Sequence, residues 1–440
     1  MDKVKITKFE KFGLYILFLF LFSEVTGGAL RYYFDKLGFT IIIYLPKILL
    51  LLVIIFTPIY YILRRGKSSF LVIFFIALFI TTSSFAIINI SHLQQIGFGL
   101  WVWVPFLAGV VLAPSMLRIW YNIHPYIFLL WSISFIGVLA NYFIEWPWLG
   151  YEYTIAGNTV KSSYLWWTGG YLRLSGFARS SFDVAIQILI FSLILFFSSR
   201  RIRGFFIWIL SGIAIFLTTN KTAFGVQLFL TVAILVRKFI PRITWMIIPI
   251  LIGGIGLILP FSTLTTSYAI SKNIDTPLES LIFFSFGERL EKMWPQTIDM
   301  LLEQGSKLFG RGIGGIGIAQ NYFESQLYSP ADNMSLYLFG VFGLFGLFLI
   351  ILYMISMARY AQISAEKQIF YWFGCIVLLE GWTINVIESP ILSLIFGFTF
   401  YIYISPLIRS LSKIRRDVAP TTAFGINKGI KMDSHETDIG

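Results

Sequence analysis

The sequence predicts an all-α polytopic membrane protein with about twelve transmembrane helices. Its 440 residues are 57% hydrophobic and 13% charged, and the mean hydropathy is +0.79. A soluble domain carries about 25% charged residues, so this composition excludes an ordinary globular enzyme. One span needs about 20 apolar residues, so twelve spans occupy more than half of the chain. Little sequence is left for a soluble domain.

The apolar segments alternate with loops that differ in charge. Lysines and arginines gather at the N-terminus and at 64–67, 200–203 and 237–242. Because basic loops remain in the cytoplasm, both termini are predicted to be cytoplasmic. The same rule accounts for the net charge of +12, which in a soluble protein would suggest a nucleic acid partner. The candidate spans lie near 12–30, 40–63, 69–90, 98–117, 125–145, 181–199, 205–219, 222–236, 243–261, 334–357, 369–387 and 391–408.

The two ends of the chain are predicted to differ. The lysine-rich start resembles a signal peptide, but its apolar stretch is long and no small-residue cleavage site precedes Arg31, so we expect a retained span. One membrane domain is expected over 1–410, followed by a disordered cytoplasmic tail over 411–440. The single cysteine, Cys375, excludes an intramolecular disulfide.

Two long loops, about 146–181 and 262–333, fall on the side opposite the basic clusters. Loops of this length are uncommon unless they are functional or disordered. Their many tryptophans and tyrosines argue against disorder and favour elements at the membrane interface. Within the second loop, the apolar spacing over 290–302 predicts an amphipathic helix with Arg289 at its start. We therefore expect the chemistry to occur outside the cytoplasm.

Arginines in these loops are candidates for binding an anion. Arg173 and Arg179 precede the sixth span, and a guanidinium offers a fork of donors that matches phosphate oxygens. They could instead be interfacial arginines whose charged ends reach the membrane surface. Asp183 could pair with one of them or favour the N-terminus of the helix. Arg289 could equally pair with its neighbours on a solvated helix face.

The second loop contains a glycine run over 310–317 that includes Arg311. It lacks the Gly-Lys-Ser/Thr ending of a nucleotide-binding loop, and no βαβ unit surrounds it. The glycines could turn backbone N–H groups towards an anion, or simply permit tight turns and close helix approach. Asp332 and Asn333 follow, directly before a span; Asp332 could act as a general base or as the N-cap of the next helix.

Other ionisable groups lie in or near the spans. Lys221 follows a short span, in a turn that we expect to be sunk in the protein, where irregular backbone is tolerated only beside protein or a water-filled cavity. Glu24 and Lys47 form a candidate structural pair with no catalytic part. Of the three histidines only His92 could face outward, so a histidine base is not expected. No Asp-x-Asp element and no His/Cys cluster with metal spacing is found, so neither a metal nor a cofactor is predicted.

The arrangement of Arg289, Trp294, the run LFGRGIGGIG and the ADN that enters a glycine-spaced helix resembles the Wzy-type O-antigen polymerases and O-antigen ligases. The resemblance extends from about 165 to 346 and implies a GT-C-like fold with a periplasmic loop cap. It implies catalytic roles for Arg173, Arg289 and Asp332. The sequence departs from the family at Asp332, where many members have histidine, and at Lys221, where many have Ser-Arg. The substrate-binding residues that it implies are Arg179, Lys221, Trp294, Arg311 and Asn333.

The function implied by this resemblance is polymerisation of undecaprenyl-pyrophosphate-linked oligosaccharide repeat units into O-antigen or capsular polysaccharide. The transfer would be inverting and metal-independent, at the periplasmic face of a bacterial inner membrane. Two alternatives remain open, namely an O-antigen ligase that transfers polysaccharide to lipid A-core and a polysaccharide flippase. A transporter is expected to show internal repeats with broken helices. The implied partners are the lipid-linked glycans and the bilayer, with a chain-length regulator and a flippase as candidate protein partners.

Overall fold

The computed structural model describes residues 7–65, 70–119, 122–155, 157–168, 170–270, 276–360 and 368–418, and these are mostly helical. The last helix continues to Val418, beyond the predicted end of the last span. The rest of the predicted tail, 419–440, lies outside the described residues.

The helices of the first half are α1 Lys8–Val25, α2 Gly27–Lys36, α3 Leu45–Arg65, α4 Phe70–Asn89, α5 Leu93–Val102, α6 Val104–Ile119, α7 His124–Phe143, α8 Ser181–Ser198 and α9 Arg201–Leu217. Those of the second half are α10 Lys221–Val236, α11 Arg242–Ser262, α12 Pro277–Glu288, α13 Trp294–Gln304, α14 Ile318–Phe323, α15 Met334–Phe342, α16 Leu344–Tyr360, α17 Gln368–Glu380 and α18 Pro390–Val418.

Every predicted span contains helix, although the helix in the span 369–387 ends at Glu380, and not every helix has the length of a span. Within the described residues, five helical segments are long and apolar enough to cross a membrane, and a sixth if α1 and α2, bent by 84°, are one broken span. The predicted span 334–357 is divided between α15 and α16 at Gly343, whose φ is +64°. The membrane class is therefore supported, while the number of twelve spans and the GT-C-like fold stay predictions. The five segments are Thr40–Tyr60, Leu93–Ile119, His124–Phe143, Ser181–Ser198 and Arg242–Ser262.

Close helix contacts hold the bundle together. The α6 and α18 helices approach at Gly109 and Gly397, where an added Cβ would collide with the backbone of the other helix. Small residues permit such approach in lipid, where burial of apolar area drives little association. The α8 helix is buried almost all round, so it runs through the core.

The first long loop is folded and contains strands, which the all-α prediction did not include. β1 Glu152–Ile155 pairs antiparallel with β2 Asn158–Lys161, and β3 Trp167–Thr168 pairs with β4 Tyr171–Leu172. The Ser162 hydroxyl donates to the carbonyl of Gly28 at 2.8 Å, and the Phe177 carbonyl accepts from the backbone N–H of Gly28. The loop is thereby fixed to the start of α2.

Candidate functional site

Arg289 lies in the middle of a helical stretch. α12 begins with a capping box between Thr276 and Glu279, and the chain then continues through a π-helical turn, Arg289–Met293, into α13. The predicted amphipathic helix is present, but the prediction that it starts at Arg289 is wrong. A π turn inserts one residue into a helix and is frequent at functional sites. Here it leaves the buried face of α13 in place while Arg289 points towards a neighbouring loop.

Trp294 follows this turn directly and packs in the core. Its side chain has no accessible surface, and its ring packs edge-on against Phe286 with centroids 6.1 Å apart. The ring belongs to the core that anchors the helix, together with Leu290, Ile298 and Leu301. This placement gives Trp294 a packing role, in place of the predicted direct contact with substrate.

Arg289 and Asp332 form an ion pair at 2.9 Å between Nη2 and Oδ2. The arginine also donates through Nη1 to the carbonyl of Ser285 at 2.9 Å. Their side chains are 11% and 31% exposed, so the pair is mostly shielded and the carboxylate is its more open end. Burial raises the pKa of Asp332, and the charge and hydrogen bond of Arg289 oppose this increase.

The alternative that Asp332 caps the next helix is wrong, because Asn333 does so. The Asn333 side-chain oxygen accepts from the backbone N–H groups of Ser335 and Leu336, at 2.8 and 3.1 Å. Its amide nitrogen donates to the carbonyls of Gly256 and Trp382. Asn333 is therefore fully buried and bonded within the protein, which places it away from the predicted contact with substrate.

Because Asn333 caps the helix, the Asp332 carboxylate is available to pair with Arg289. The backbone at Asp332 and at the residue before it is strained. Ala331 and Asp332 both have left-handed conformations, with φ of +59° and +42°. Such conformations are uncommon for residues other than glycine. They turn the aspartate towards Arg289.

Arg173 and Lys221 lie near this ion pair. Burial, and after it the positive charge of Arg289, lowers the pKa of Arg173 to about 10. The Arg173 guanidinium lies over the ring of Phe182 at 4.3 Å and that of Trp166 at 5.7 Å. Lys221, the first residue of α10, is exposed and within electrostatic reach of both arginines. We call Arg173, Lys221 and Arg289 the cationic cluster.

The cationic cluster carries an excess of positive charge. Among the described residues, Asp332 is the one carboxylate that forms an ion pair with any of its members. Three cations against one carboxylate leave a net charge of about +2, and like charges held together favour the arrival of an anion. Arg173 and Arg289 come from the two long loops and lie within electrostatic reach of each other.

Arg311 has a different environment. It is 1% exposed, forms an ion pair with Glu324 at 3.1 Å and donates to the carbonyl of Gly315 at 2.8 Å. Gly312 has a φ of +92°, and a Cβ there would lie 2.6 Å from the carbonyl oxygen of Thr82. The glycine run therefore serves tight turns and close packing, the second of its two interpretations. Arg311 holds the loop in place, and the substrate-binding role predicted for it is not supported by this geometry.

Sequence reasoning missed Glu388 as a member of the site. It lies between α17 and α18, and its Oε1 accepts from the backbone N–H of Ile318 at 2.5 Å. Burial raises the pKa of Glu388 to about 7, and the nearby charge of Asp332 contributes. Tyr328 is close to both carboxylates, since its pKa is raised first by burial and then by Glu388 and Asp332. An acidic residue between two apolar segments was the signal that could have identified Glu388.

Arg179 has different charged neighbours from Arg173. Its guanidinium donates to the Tyr164 hydroxyl at 3.2 Å and lies 5.1 Å from the centre of that ring. It belongs to a second group of charges with Glu24, Arg31, Lys47 and Asp183, which influence one another electrostatically. We call these five residues the mixed-charge cluster. The predicted pair of Glu24 and Lys47 is part of it, without contact at ion-pair distance.

Comparisons with known proteins add no assignment. No protein-family model, curated protein or solved structure matches this chain. Among the described residues, no group of three or more His, Cys, Asp or Glu side chains is placed to hold a metal ion. The function must therefore be argued from the charges and contacts of the site.

Proposed function

We propose that this protein is a membrane glycosyltransferase that polymerises undecaprenyl-pyrophosphate-linked oligosaccharide repeat units. The observation that carries the proposal is the convergence of Arg173, Lys221 and Arg289 beside Asp332. The three cations come from the two long loops and the start of α10, so the fold brings distant parts of the chain within electrostatic reach of one another. A diphosphate supplies the negative charge that such a cluster lacks.

The cationic cluster would bind the diphosphate of the donor. Arginine binds phosphate through two parallel N–H···O bonds, and lysine acts as a point charge. Arg289 is held in the ion pair with Asp332, and Arg173 is held against aromatic rings. Both guanidinium groups are thus positioned before the ligand arrives, which reduces the cost of ordering them.

The reaction would be an inverting substitution at the anomeric carbon. A hydroxyl oxygen of the acceptor sugar forms a bond with that carbon, and the bond from the carbon to the phosphate oxygen breaks. The electron pair leaves with the diphosphate, whose developing charge the cationic cluster stabilises. Asp332 accepts the hydroxyl proton, because its carboxylate is the open end of the ion pair. Arg289 would then contact both the leaving group and the base.

The proposed location is the periplasmic face of a bacterial inner membrane, with both termini in the cytoplasm. The apolar helices support a membrane protein. The side on which the long loops lie rests on the distribution of lysine and arginine in the sequence.

The test is the surface polysaccharide of a strain that lacks this protein. A polymerase deletion leaves single repeat units on the lipopolysaccharide core or no capsule polymer, with the lipid-linked unit accumulating. Loss of every repeat unit from the core would instead assign the ligase reaction. Unchanged polysaccharide would refute both transferase functions. Complementation with the wild-type chain controls for effects on neighbouring genes.

A further inference from the structure

We propose that the mixed-charge cluster is a subsite for the hydroxyl groups of the acceptor glycan, separate from the diphosphate site. This inference rests on the proposed function and assigns a part of the substrate to a group of residues distinct from the cationic cluster. The cluster consists of Glu24, Arg31, Lys47, Arg179 and Asp183.

Four elements bring these residues together. Glu24 is in the last turn of α1, and Arg31 follows in α2 after the 84° bend. Lys47 is in the first turn of α3. Arg179 and Asp183 flank the start of α8. The bend after α1 thus places α2 against the first long loop, at the point where Gly28 bonds to Phe177 and Ser162.

The charges of this cluster do not neutralise one another by contact. Among the described residues, none of the three cations approaches Glu24 or Asp183 within the 4 Å of an ion pair. Arg31 donates to the carbonyl of Gly27 at 2.9 Å, and Asp183 accepts from the Ser180 hydroxyl at 2.6 Å. Shielded opposite charges normally pair directly because removing them from water is costly. Their separation leaves these donors and acceptors without direct partners inside the cluster.

Two guanidinium groups retain unused donors. The Nε atoms of Arg31 and Arg179 are buried and have no hydrogen-bond partner, and the same holds outside this cluster for the Nε atoms of Arg173, Arg289 and Arg311. A buried donor without a partner is costly, and such groups are usually satisfied by a ligand or by water. A sugar hydroxyl can accept from either atom.

The charge balance distinguishes this cluster from the cationic cluster. Three cations and two carboxylates leave a net charge of about +1, against about +2 around Asp332. A diphosphate offers only acceptors, so carboxylates beside it are unfavourable. Sugar hydroxyls both donate and accept, so they can bond to guanidinium and carboxylate groups together. The mixed composition therefore fits a glycan better than an anion.

Aromatic side chains contact two of the cations in this cluster, Arg179 and Lys47. The Tyr164 ring stacks on Trp166 with centroids 5.0 Å apart, and Lys47 lies 4.7 Å from the centre of the Trp101 ring. Tyr153 and Tyr322 are within electrostatic reach of Arg179. Tyrosine combines an apolar ring with a polar tip, which suits a sugar that has apolar faces and polar edges.

Tyrosines also connect the two clusters. Tyr164, the partner of Arg179, is close enough to influence Tyr328, and Tyr328 lies near Asp332 and Glu388. A glycan whose reacting hydroxyl is at Asp332 can therefore extend along Tyr328 and Tyr164 to the mixed-charge cluster.

The test compares two ligands on the purified full-length protein in lipid nanodiscs. One probe is inorganic pyrophosphate, and the other is the free oligosaccharide repeat unit, released by mild acid from the producing cell's lipid-linked pool. We expect Arg179→Gln and Lys47→Gln to weaken oligosaccharide binding about tenfold or more and to leave pyrophosphate binding unchanged. Arg179→Lys should restore part of the affinity. Lys161→Gln, at an exposed lysine paired with Glu152, is the matched control.

The outcomes separate this inference from the proposed function. Unchanged oligosaccharide binding in both variants, or a loss of pyrophosphate binding, would overturn the glycan subsite. If Arg179→Gln does not fold, Lys47→Gln decides the question alone, because Lys47 lies on another element. Unchanged pyrophosphate binding in Arg173→Gln would refute the diphosphate site, while the oligosaccharide measurement would still judge the mixed-charge cluster.

Discussion

Replacing Asp332 by asparagine tests the proposed chemistry most directly. The substitution keeps the shape of the side chain and removes its charge. Helix α15 keeps its cap, because Asn333 and not Asp332 accepts from Ser335 and Leu336. A change in activity can therefore be attributed to the carboxylate and its ion pair with Arg289.

The expected effects on catalysis and on binding have opposite signs. Loss of a general base lowers the rate of the chemical step by about 10²- to 10⁴-fold. Pyrophosphate should bind more tightly, because the net charge around Arg289 rises from about +2 to about +3. Releasing Arg289 from a partly shielded pair at 2.9 Å should contribute about 1 kcal/mol, or several-fold in affinity. A residue that only stabilised the fold would weaken both properties.

The assay measures polymer formation from the lipid-linked repeat unit and pyrophosphate affinity on the same purified preparation. Glu303→Gln is the matched control, because Glu303 is an exposed carboxylate on α13, in the same long loop. A normal rate in Asp332→Asn would refute the role as base. A reduced rate together with weaker pyrophosphate binding would show that the aspartate only positions Arg289.

Three further predictions concern the same region. Lysine at Arg173 or Arg289 should slow polymerisation about a hundredfold, on the order of 3 kcal/mol, because bidentate geometry is lost; normal rates in membranes with equal protein would contradict this. Alkaline phosphatase fused after Lys161 or after Lys307 should be active, and inactivity at both points would invert the topology. Burial raises the pKa of Glu388 from its ordinary value of 4.5 to about 7, so its contribution to stability is present below pH 4.5 and lost as the pH rises through 7. Glu388→Gln should therefore raise the melting temperature in detergent at pH 8 and leave it unchanged at pH 4. At pH 8 the gain in the free energy of unfolding should be up to about 3 kcal/mol. Equal melting curves for the variant and the wild type at both pH values would contradict the raised pKa.

The positions of the apolar helices could be predicted because composition alone determines them. A segment of about 20 apolar residues has to be helical in lipid, where every backbone group needs an internal partner. The bend after Val25 and the break at Gly343 could not be predicted, because they depend on what each helix meets. At Gly343 an added Cβ would collide with the backbone of Leu308, from a distant loop.

The roles of individual polar residues were harder to predict, because residues of similar type in the same loop have different interaction partners. Arg289 and Arg311 are both loop arginines, yet one faces Asp332 and the other is enclosed with Glu324. Asp332 and Asn333 are about equally good caps, and the left-handed backbone at Ala331 and Asp332 decided between them. Local sequence does not reveal these choices, since the partner of Arg289 lies 43 residues further along the chain and the cap depends on the backbone conformation before it.

Irregular backbone on both sides of the ion pair ties its geometry to the rest of the fold. On one side, the π turn Arg289–Met293 interrupts the helical stretch of α12 and α13. On the other, Ala331 and Asp332 adopt conformations that cost on the order of 1–3 kcal/mol each. A regular helix follows each irregular segment. The π turn leads into α13, whose first residue, Trp294, is buried, and Asp332 is followed by α15, which Asn333 caps. Strain of this kind persists only where the surroundings hold it in place, so the fold gives up stability here to set the direction of one arginine and one aspartate.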